Sequence, residues 1–369
     1  MRLGDILSYE QPTKFLVTTT QYLQKGFTPI LTAGKTFILG YTNDKHGIYT
    51  NIPVIIFDDF TTDSKMVNFP FKVKSSAIKI LSLRDNNQAD LKYIYEKLTL
   101  LKHQVTDHKR YWIDEFSNFE ILLPPLNEQS AIANILSDLD HYLCALDALI
   151  LKKEGVKKSL SFELLSQRKR LKGFNQAWQR VKVKDFGIII TGSTPLTQIS
   201  EYWNGTISWI TPTDINDNKD IFNSERKITQ KGLNTIRMIP KNSVLVTCIA
   251  SIGKNAILRV NGACNQQINA IIPNKDFNAD FIYYLMENNK QYLLGKAGVT
   301  ATYIISKQVF EEIDFFVPKD LNEQIAIANV LSDLDNEIAS LKNKKRQFEN
   351  IKKALNHDLM SAKIRVLNK

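Results

Sequence analysis

The strongest constraint on this chain is a stretch that it contains twice. Leu126 to Asp140 reads LNEQSAIANILSDLD and Leu321 to Asp335 reads LNEQIAIANVLSDLD, at a constant offset of 195 residues. The copies differ only at Ser130/Ile325 and Ile135/Val330. Each follows a proline that closes an apolar run, Leu122-Leu123-Pro124 in one and Phe316-Val317-Pro318 in the other. A repeat this long between unlike sequences predicts two modules, each ending in a helix of the same kind.

The periodicity of both copies is helical. Ile132, Leu136, Leu139, Leu143, Leu146 and Ile150, then Leu160 and Leu164, follow an alternating four-and-three spacing. Ile327, Leu331, Leu334, Ile338, Leu341, Phe348, Leu355 and Leu359 repeat it. A helix buries such a seam against another helix, so the two are expected to pair. Asn127 and Asn322 suit the N-cap, which sets Glu128 and Glu323 at the positive end of the dipole. Ser130 and Ile325 stand where a capping box requires Glu or Gln, so that box is absent. The helices are predicted over about 127–171 and 322–364, each a rod of roughly 60 Å. Gly155 is expected to interrupt the first and mark a bend, and Lys153 and Lys157 to loosen the pairing there.

Composition sets the outer limits. A chain of 369 residues has room for two or more domains. It has no apolar tract long enough to span a membrane, and MRLGDILSYEQ reads as neither signal nor transit peptide. Cys144, Cys248 and Cys264 are scattered without a CxxC, which favours a reducing cytoplasm over a disulfide framework or zinc site. The net charge of +10 favours a polyanionic partner. Much of the excess lies on the distal helix halves, from Lys152, Lys153, Lys157 and Lys158 to Arg168, Lys169, Arg170 and Lys172, and again at Lys342, Lys344, Lys345, Arg346, Lys352 and Lys353. A solvated helix face and direct phosphate contact both fit that distribution.

The rest of the chain reads as α+β. Residues 1–125 form a first module, 126–173 the first helical spacer, 174–320 a second module and 321–369 the second spacer. In the first module, 28–41, 52–60 and 67–83 are β-branched and aromatic runs bounded by turn residues, and 90–104 is helical. In the second, strands are expected at 188–191, 208–210, 243–249, 255–260 and 268–272, with a helix over 279–294.

No catalytic motif is present. There is no GxGxxG after a strand, no Walker loop and no HExxH. The adjacent prolines Pro124-Pro125 follow Leu123, so the Asn/Asp-Pro-Pro-Tyr/Phe signature of an amino-methyltransferase is missing. His103 and His108 read as surface or hydrogen-bonded residues, and Asp58, Asp59 and Asp63 would need further ligands to hold a divalent ion. What remains is short and polar. Thr191, Ser193 and Thr194 lie in a hydroxyl-rich turn; Thr213, Ser251, Lys254, Gln266 and Gln267 lie in three more. Thr28, Thr32, Lys35, Lys72 and Lys74 are comparable in the first module. Such side chains contact phosphates and base edges, and on a basic two-module chain they favour nucleic-acid recognition.

These residues also carry a family resemblance. The twice-occurring LNEQxAIANxLSDLD, Gly192-Ser193-Thr194-Pro195 followed by Tyr202-Trp203, and Trp209 to Ile215 (WITPTDI) resemble the specificity subunit of bacterial type I restriction-modification systems. So do Ile228 to Leu233 (ITQKGL), Ala250 to Lys254 (ASIGK) and Asn265 to Ala270 (NQQINA). The resemblance spans essentially the whole chain. One departure is the start of the first module at Leu3-Gly4-Asp5-Ile6 with no tryptophan before it, whereas Trp178 precedes Val181-Lys182-Val183 in the second. That shortened start is expected to leave the first module's edge less covered.

The resemblance implies two target-recognition domains separated by two long helices that form an antiparallel coiled coil, a pseudo-two-fold internal repeat. Each domain would read one half of a bipartite, asymmetric double-stranded DNA target. The helix pair would be a ruler and the docking site for two methyltransferase subunits, through Ile132, Leu136, Leu139, Leu143, Leu146, Ile327, Leu331, Leu334, Ile338 and Leu341. Restriction subunits would join through the methyltransferases. No cofactor is expected on this chain; S-adenosylmethionine, ATP and Mg would sit on the partners. Holding DNA from which the target adenine has left the stack is a further role the resemblance suggests. A coiled-coil scaffold without sequence-specific DNA binding is the alternative reading.

Overall fold

A computed structural model of the chain describes residues 1–33, 36–101, 110–216, 218–299 and 302–367. Lys35, His103 and His108 lie outside the described residues. The chain packs as two compact units, Met1–Ala148 with Asn343–Lys369, and Leu149–Lys342. The linear division into module, spacer, module and spacer therefore does not follow the packing: each unit takes one module, part of its own helix and part of the other helix.

The first unit runs α1 (Leu3–Ile6), β1 (Leu7–Glu10), β2 (Thr28–Leu31), β3 (Ile38–Thr42), β4 (Val54–Asp58) and β5 (Ser64–Val67). It continues with β6 (Lys72–Val73), β7 (Ile78–Leu83), α2 (Leu91–Thr99), α3 (Tyr111–Asp114) and the beginning of α4 (Leu126–Leu165). The strands form a four-stranded sheet, β1-β7-β4-β5, and a three-stranded one, β3-β2-β6. β4 is buried along its whole length because both of its faces are covered. Ile55 and Phe57 join Tyr93, Trp112, Ile132 and Leu136 on one side, while Val54 and Ile56 join Phe71, Val73 and Ile80 on the other. That is why IPVIIF reads as a continuous apolar run rather than an alternating one. The neighbouring carboxylates serve the fold: Asp59 pairs with Lys79 at 2.9 Å and accepts the Trp112 N–H, and Asp58 accepts the Phe60 N–H and the Thr61 hydroxyl.

The second unit opens with the end of α4 and runs β8 (Trp178–Lys182), β9 (Gly187–Thr191), β10 (Trp203–Ile210), β11 (Asp220–Ile221), β12 (Lys227–Ile228) and α5 (Gln230–Leu233). There follow β13 (Ser243–Thr247), β14 (Asn255–Leu258), β15 (Gly262–Cys264), β16 (Ile268–Pro273), α6 (Ala279–Asn288) and α7 (Lys290–Leu294). It closes with β17 (Gly298–Val299), β18 (Tyr303–Ile304), α8 (Lys307–Glu312), β19 (Asp314–Pro318) and the beginning of α9 (Leu321–Met360). The central sheet is β11-β14-β13-β16-β9, beside a three-stranded β12-β10-β15. It too is covered on both faces: Val244, Val246 and Ile257 pack with Phe281, Ile327 and Leu331, whereas Leu245, Ala256 and Leu258 pack with Ile210 and Ile239.

The repeated motif explains itself once its polar residues are followed. Gln129 and Gln324 are wholly buried. Gln129 donates to the carbonyls of Pro124 (2.8 Å) and Gln88 (3.2 Å) and accepts the Asp90 N–H (3.0 Å). Gln324 donates to Pro318 and Asp276, both at 3.1 Å, and accepts the Asn278 N–H at 3.0 Å. Asp90 and Asn278 are in turn the N-caps of α2 and α6. Each amide thus satisfies three backbone groups where helix and module meet, which a buried site requires. Glu128 and Glu323 form bidentate pairs with Arg365 and Arg170, two arginines that are themselves 195 residues apart. Asp140 accepts from Lys92 and Lys352, and Asp335 from the Tyr284 hydroxyl and Lys157. Burial alone would raise the Asp140 pKa, but its lysine hydrogen bonds outweigh that and hold it below the ordinary value. Glu323 also accepts the Trp178 indole N–H at 3.3 Å, whereas among the described residues no indole reaches Glu128. The side chain of Arg365 is 51% exposed against 22% for Arg170, so the first unit's latch is the less covered of the two.

The two long helices run antiparallel within each unit. In the first, Asp140 meets Lys352 and Asp147 meets Lys345; in the second, Lys153 meets Glu337 and Lys157 meets Asp335. Four details of the sequence reading are corrected. The helices begin at Leu126 and Leu321, so Asn127 and Asn322 lie inside the first turn; Asp320 accepts the Asn322 N–H instead. They end at Leu165 and Met360, just before Gln167 and Ala362, whose positive φ of 60° and 56° turns the chain out of the helix. Gly155 does not interrupt α4. Lys153 and Lys157 bridge the pair rather than loosen it: they face Glu337 and Asp335, as Lys342, Lys345 and Lys352 also face carboxylates across it, while Lys152, Lys158 and Lys353 are exposed. Among the described residues no helix is long and apolar enough to cross a membrane.

Burial also separates the thiols. Cys248 and Cys264 are buried, and desolvation pushes each up to about 12, while Cys144 is exposed. Because the thiolate is the nucleophile, iodoacetamide at pH 8 is expected to add one carbamidomethyl group to the folded chain, at Cys144. Peptide mass spectrometry showing comparable labelling of Cys248 or Cys264 would contradict this packing.

Candidate nucleic-acid interface

Strand register brings the polar turns of the second unit to one end of its central sheet. Thr191, at the end of β9, pairs with Asn269 near the start of β16; Thr247, at the end of β13, pairs with Ile268; and Val246 pairs with Asn255 at the start of β14. The turns 192–195, 248–254 and 265–267 therefore leave the sheet side by side. β10 runs parallel to β15 with Ile210 opposite Cys264, and Asn265 N–H donates to the Ile210 carbonyl, which adds turn 211–214 to the group. All eight second-module residues singled out in the sequence lie on or beside these turns.

The turns are tied to one another. Gly192 and Ser193 donate their N–H groups to Ile268 and Cys264 at 2.9 and 2.8 Å. A Cβ on Gly192 would stand 2.1 Å from the Asn265 carbonyl oxygen, so only glycine permits this approach. Thr194 hydrogen-bonds Gln266 at 2.6 Å, and the Cys248 N–H donates to the Gln267 carbonyl. Asp214 accepts the Thr211 N–H and hydroxyl, both at 2.8 Å, and the Glu225 N–H at 2.9 Å. Thr194, Thr213, Lys254 and Gln266 are exposed, and no carboxylate among the described residues pairs with Lys254. Thr191 is turned inward to Asn269, and the Gln267 amide accepts from Asn265. Ser251 gives its carbonyl to the Thr247 hydroxyl.

The first unit divides its candidates. β2 and β6 run parallel, with Leu31 opposite Val73, so Thr32 and Lys74 leave them at the same end. Thr28 is at the opposite end of β2 and is 6% exposed. Lys72 is 5% exposed; its ammonium lies 2.5 Å from Asp44, whose pKa it holds down at about 2, and 2.8 Å from the His46 carbonyl. Thr28 and Lys72 are thus part of the module's packing and present nothing to a ligand. The helix-pair and docking candidates lie along the buried seam. Ile132, Leu136, Leu146, Ile327, Leu331 and Ile338 are buried, and Leu139, Leu143, Leu334 and Leu341 partly so. Ile132 and Leu136 sit in the first unit's core and Ile327 and Leu331 in the second's, so the start of each seam anchors a module as well as a helix.

Sequence reasoning missed Arg226. Its guanidinium lies 4.3 Å from the ring centre of Trp203 and 4.8 Å from that of Trp209, beside turns 192–195 and 211–214. No spacing rule links these three residues, because a bulge in β10 and a separate strand bring them together.

The comparisons agree with this architecture. A family model described as "Type I restriction modification DNA specificity domain" matches residues 1–153 and again 175–350. The Escherichia coli type I restriction enzyme EcoR124I/EcoR124II specificity subunit is 36% identical over 355 residues, covering 90% of this chain and 85% of that one. The Methanocaldococcus jannaschii type I restriction enzyme MjaIX specificity subunit is 36% identical over 182 residues, 48% of this chain and 41% of that one. In structure, the S subunit of a type I restriction-modification system from M. genitalium aligns with a TM-score of 0.67 at 15% identity, over 97% of this chain and 95% of that one. Two matches of the family model fall on the two modules, and the internal repeat has paired counterparts in both units. On these grounds the chain belongs to the type I restriction-modification DNA specificity family.

Proposed function

We propose that this chain is the specificity subunit of a type I restriction-modification assembly. It would select the DNA, each unit reading one half of a bipartite, asymmetric target. The observation that carries the reading is the convergence of Thr194, Thr213, Lys254 and Gln266 at one end of the second unit's sheet. Hydroxyls and amides there can hydrogen-bond base edges, and the unpaired lysine can meet phosphate. Thr32 and Lys74 are the corresponding candidates in the first unit. Two unlike readers joined by paired helices would fix the separation of the half-sites.

Methyl transfer from S-adenosylmethionine and ATP- and Mg-dependent cleavage would belong to two methyltransferase subunits and to the restriction subunits that join through them. The buried seam leaves other helix residues for docking: Leu151 is 71% exposed, Val156 45% and Ile351 50%. The test is methylome sequencing of a host expressing the methyltransferase with and without this chain. A bipartite methylated motif present only with the chain is the expected result. Methylation unchanged by its removal would favour the scaffold reading.

A further inference from the structure

We propose that Arg226 is a DNA-phosphate anchor that sets the register of the second unit on its half-site. This rests on the reading of that unit as a DNA reader.

The local structure fixes this arginine firmly. Its carbonyl accepts the Ser224 hydroxyl at 2.6 Å and the Trp209 N–H at 3.2 Å, and the preceding residue, Glu225, is held through its N–H by Asp214. The side chain lies against two indoles that meet edge to face, their centres 5.1 Å apart at 89°. Trp203 reaches this position through a bulge in β10 between Trp203 and Ile207, where Asn204 takes a φ of 60°. Gly205 permits the bulge, since a Cβ there would stand 2.3 Å from the Ile228 carbonyl oxygen. Bulges of this kind re-aim side chains.

The cation lies over two nearly perpendicular rings, and among the described residues its N–H groups have neither an ion pair nor a hydrogen bond. Arg226 lines a recess together with Thr197, Ser200, Asn204, Glu225 and Lys227. Two cations against one carboxylate, with hydroxyl and amide donors around them, suit a singly charged phosphodiester. The recess also adjoins the reading end, because the Trp209 indole donates to the Ser193 carbonyl at 2.9 Å. A cation fixed on the flank of base-reading turns orients the duplex without itself carrying sequence information.

The test compares the methyltransferase-bound wild-type chain with Arg226→Ala and Arg226→Lys on two duplexes, one carrying the motif found by methylome sequencing and one scrambled. Arg226→Ala is expected to weaken binding to both by the same factor, about tenfold. The slope of log affinity against log salt should fall by about 1. Arg226→Lys should keep the wild-type slope. An unchanged slope in Arg226→Ala would reduce the residue to a packing role, and relaxed preference at one base pair would make it a base reader; either overturns the proposal. A wild-type complex without preference between the duplexes would instead overturn the reading of function beneath it.

Discussion

Leu331→Asp is expected to unfold the second unit and with it to abolish co-purification of the methyltransferase. Leu331 is 0% exposed and packs with Phe281, Val244 and Val246 as well as with its own helix. Truncating a leucine in such a site costs about 2–5 kcal/mol through lost contacts and the cavity left behind. An aspartate adds an unpaired buried charge, which takes the loss beyond about 4 kcal/mol. That is a large part of the roughly 5–15 kcal/mol that holds a domain together. Leu136→Asp should do the same to the first unit, where Leu136 is equally buried beside Tyr93, Trp112 and Leu359. Leu151→Asp is the control for folding alone, because Leu151 lies on the same kind of helix but 71% exposed, and a substitution there should stay within about 0.5 kcal/mol whatever it does to docking. Thermal melts with limited proteolysis read all three. A Leu331→Asp chain that melts cooperatively within a few degrees of wild type would contradict the core assignment.

The expectation from sequence was that Leu136 and Leu331 serve the helix pair. The structure gives them a second duty, and the reason is physical. A four-and-three spacing shows that a face is buried; it does not say whether a helix or a sheet buries it. The helices themselves were legible because their seams extend over many turns, and most strands were legible because β4 and β13 are unbroken apolar runs covered on both faces. The motif's Gln129 and Gln324 were not legible as buried staples, since their partners are backbone groups about 40 residues earlier, at Asp90 and Asn278. The sequence left the basic helix halves open between a solvated face and phosphate contact, and the ion pairs across the helices were not legible because the carboxylates lie on the opposite helix, as in Lys153 with Glu337. At the candidate site, turn composition located Thr194, Thr213, Lys254 and Gln266. It also picked Thr28 and Lys72, because composition does not report which way a strand residue points. Arg226 carries no local signature, and only the bulge that aims Trp203 makes it a site.

The second large effect concerns modular reading. The second unit's fold includes Arg170, Glu323, Gln324 and Leu331, all outside residues 174–320. A transplanted module must therefore supply an indole equivalent to Trp178, to donate to Glu323, and backbone groups equivalent to those of Asp276 and Asn278, to receive Gln324. A donor that meets these contacts should fold on the same two helices, leave Asp140, Glu128 and the first unit's core untouched, and keep the helix spacer unchanged.

The decisive measurement is therefore the methylated motif of a host carrying a chimera in which a family member's reader replaces residues 174–320, alongside the unaltered methyltransferase. One half-site should change completely while the other half-site and the spacer length stay as they were. A motif altered in both halves, or unaltered in both, would contradict the claim that each unit reads its own half of the DNA.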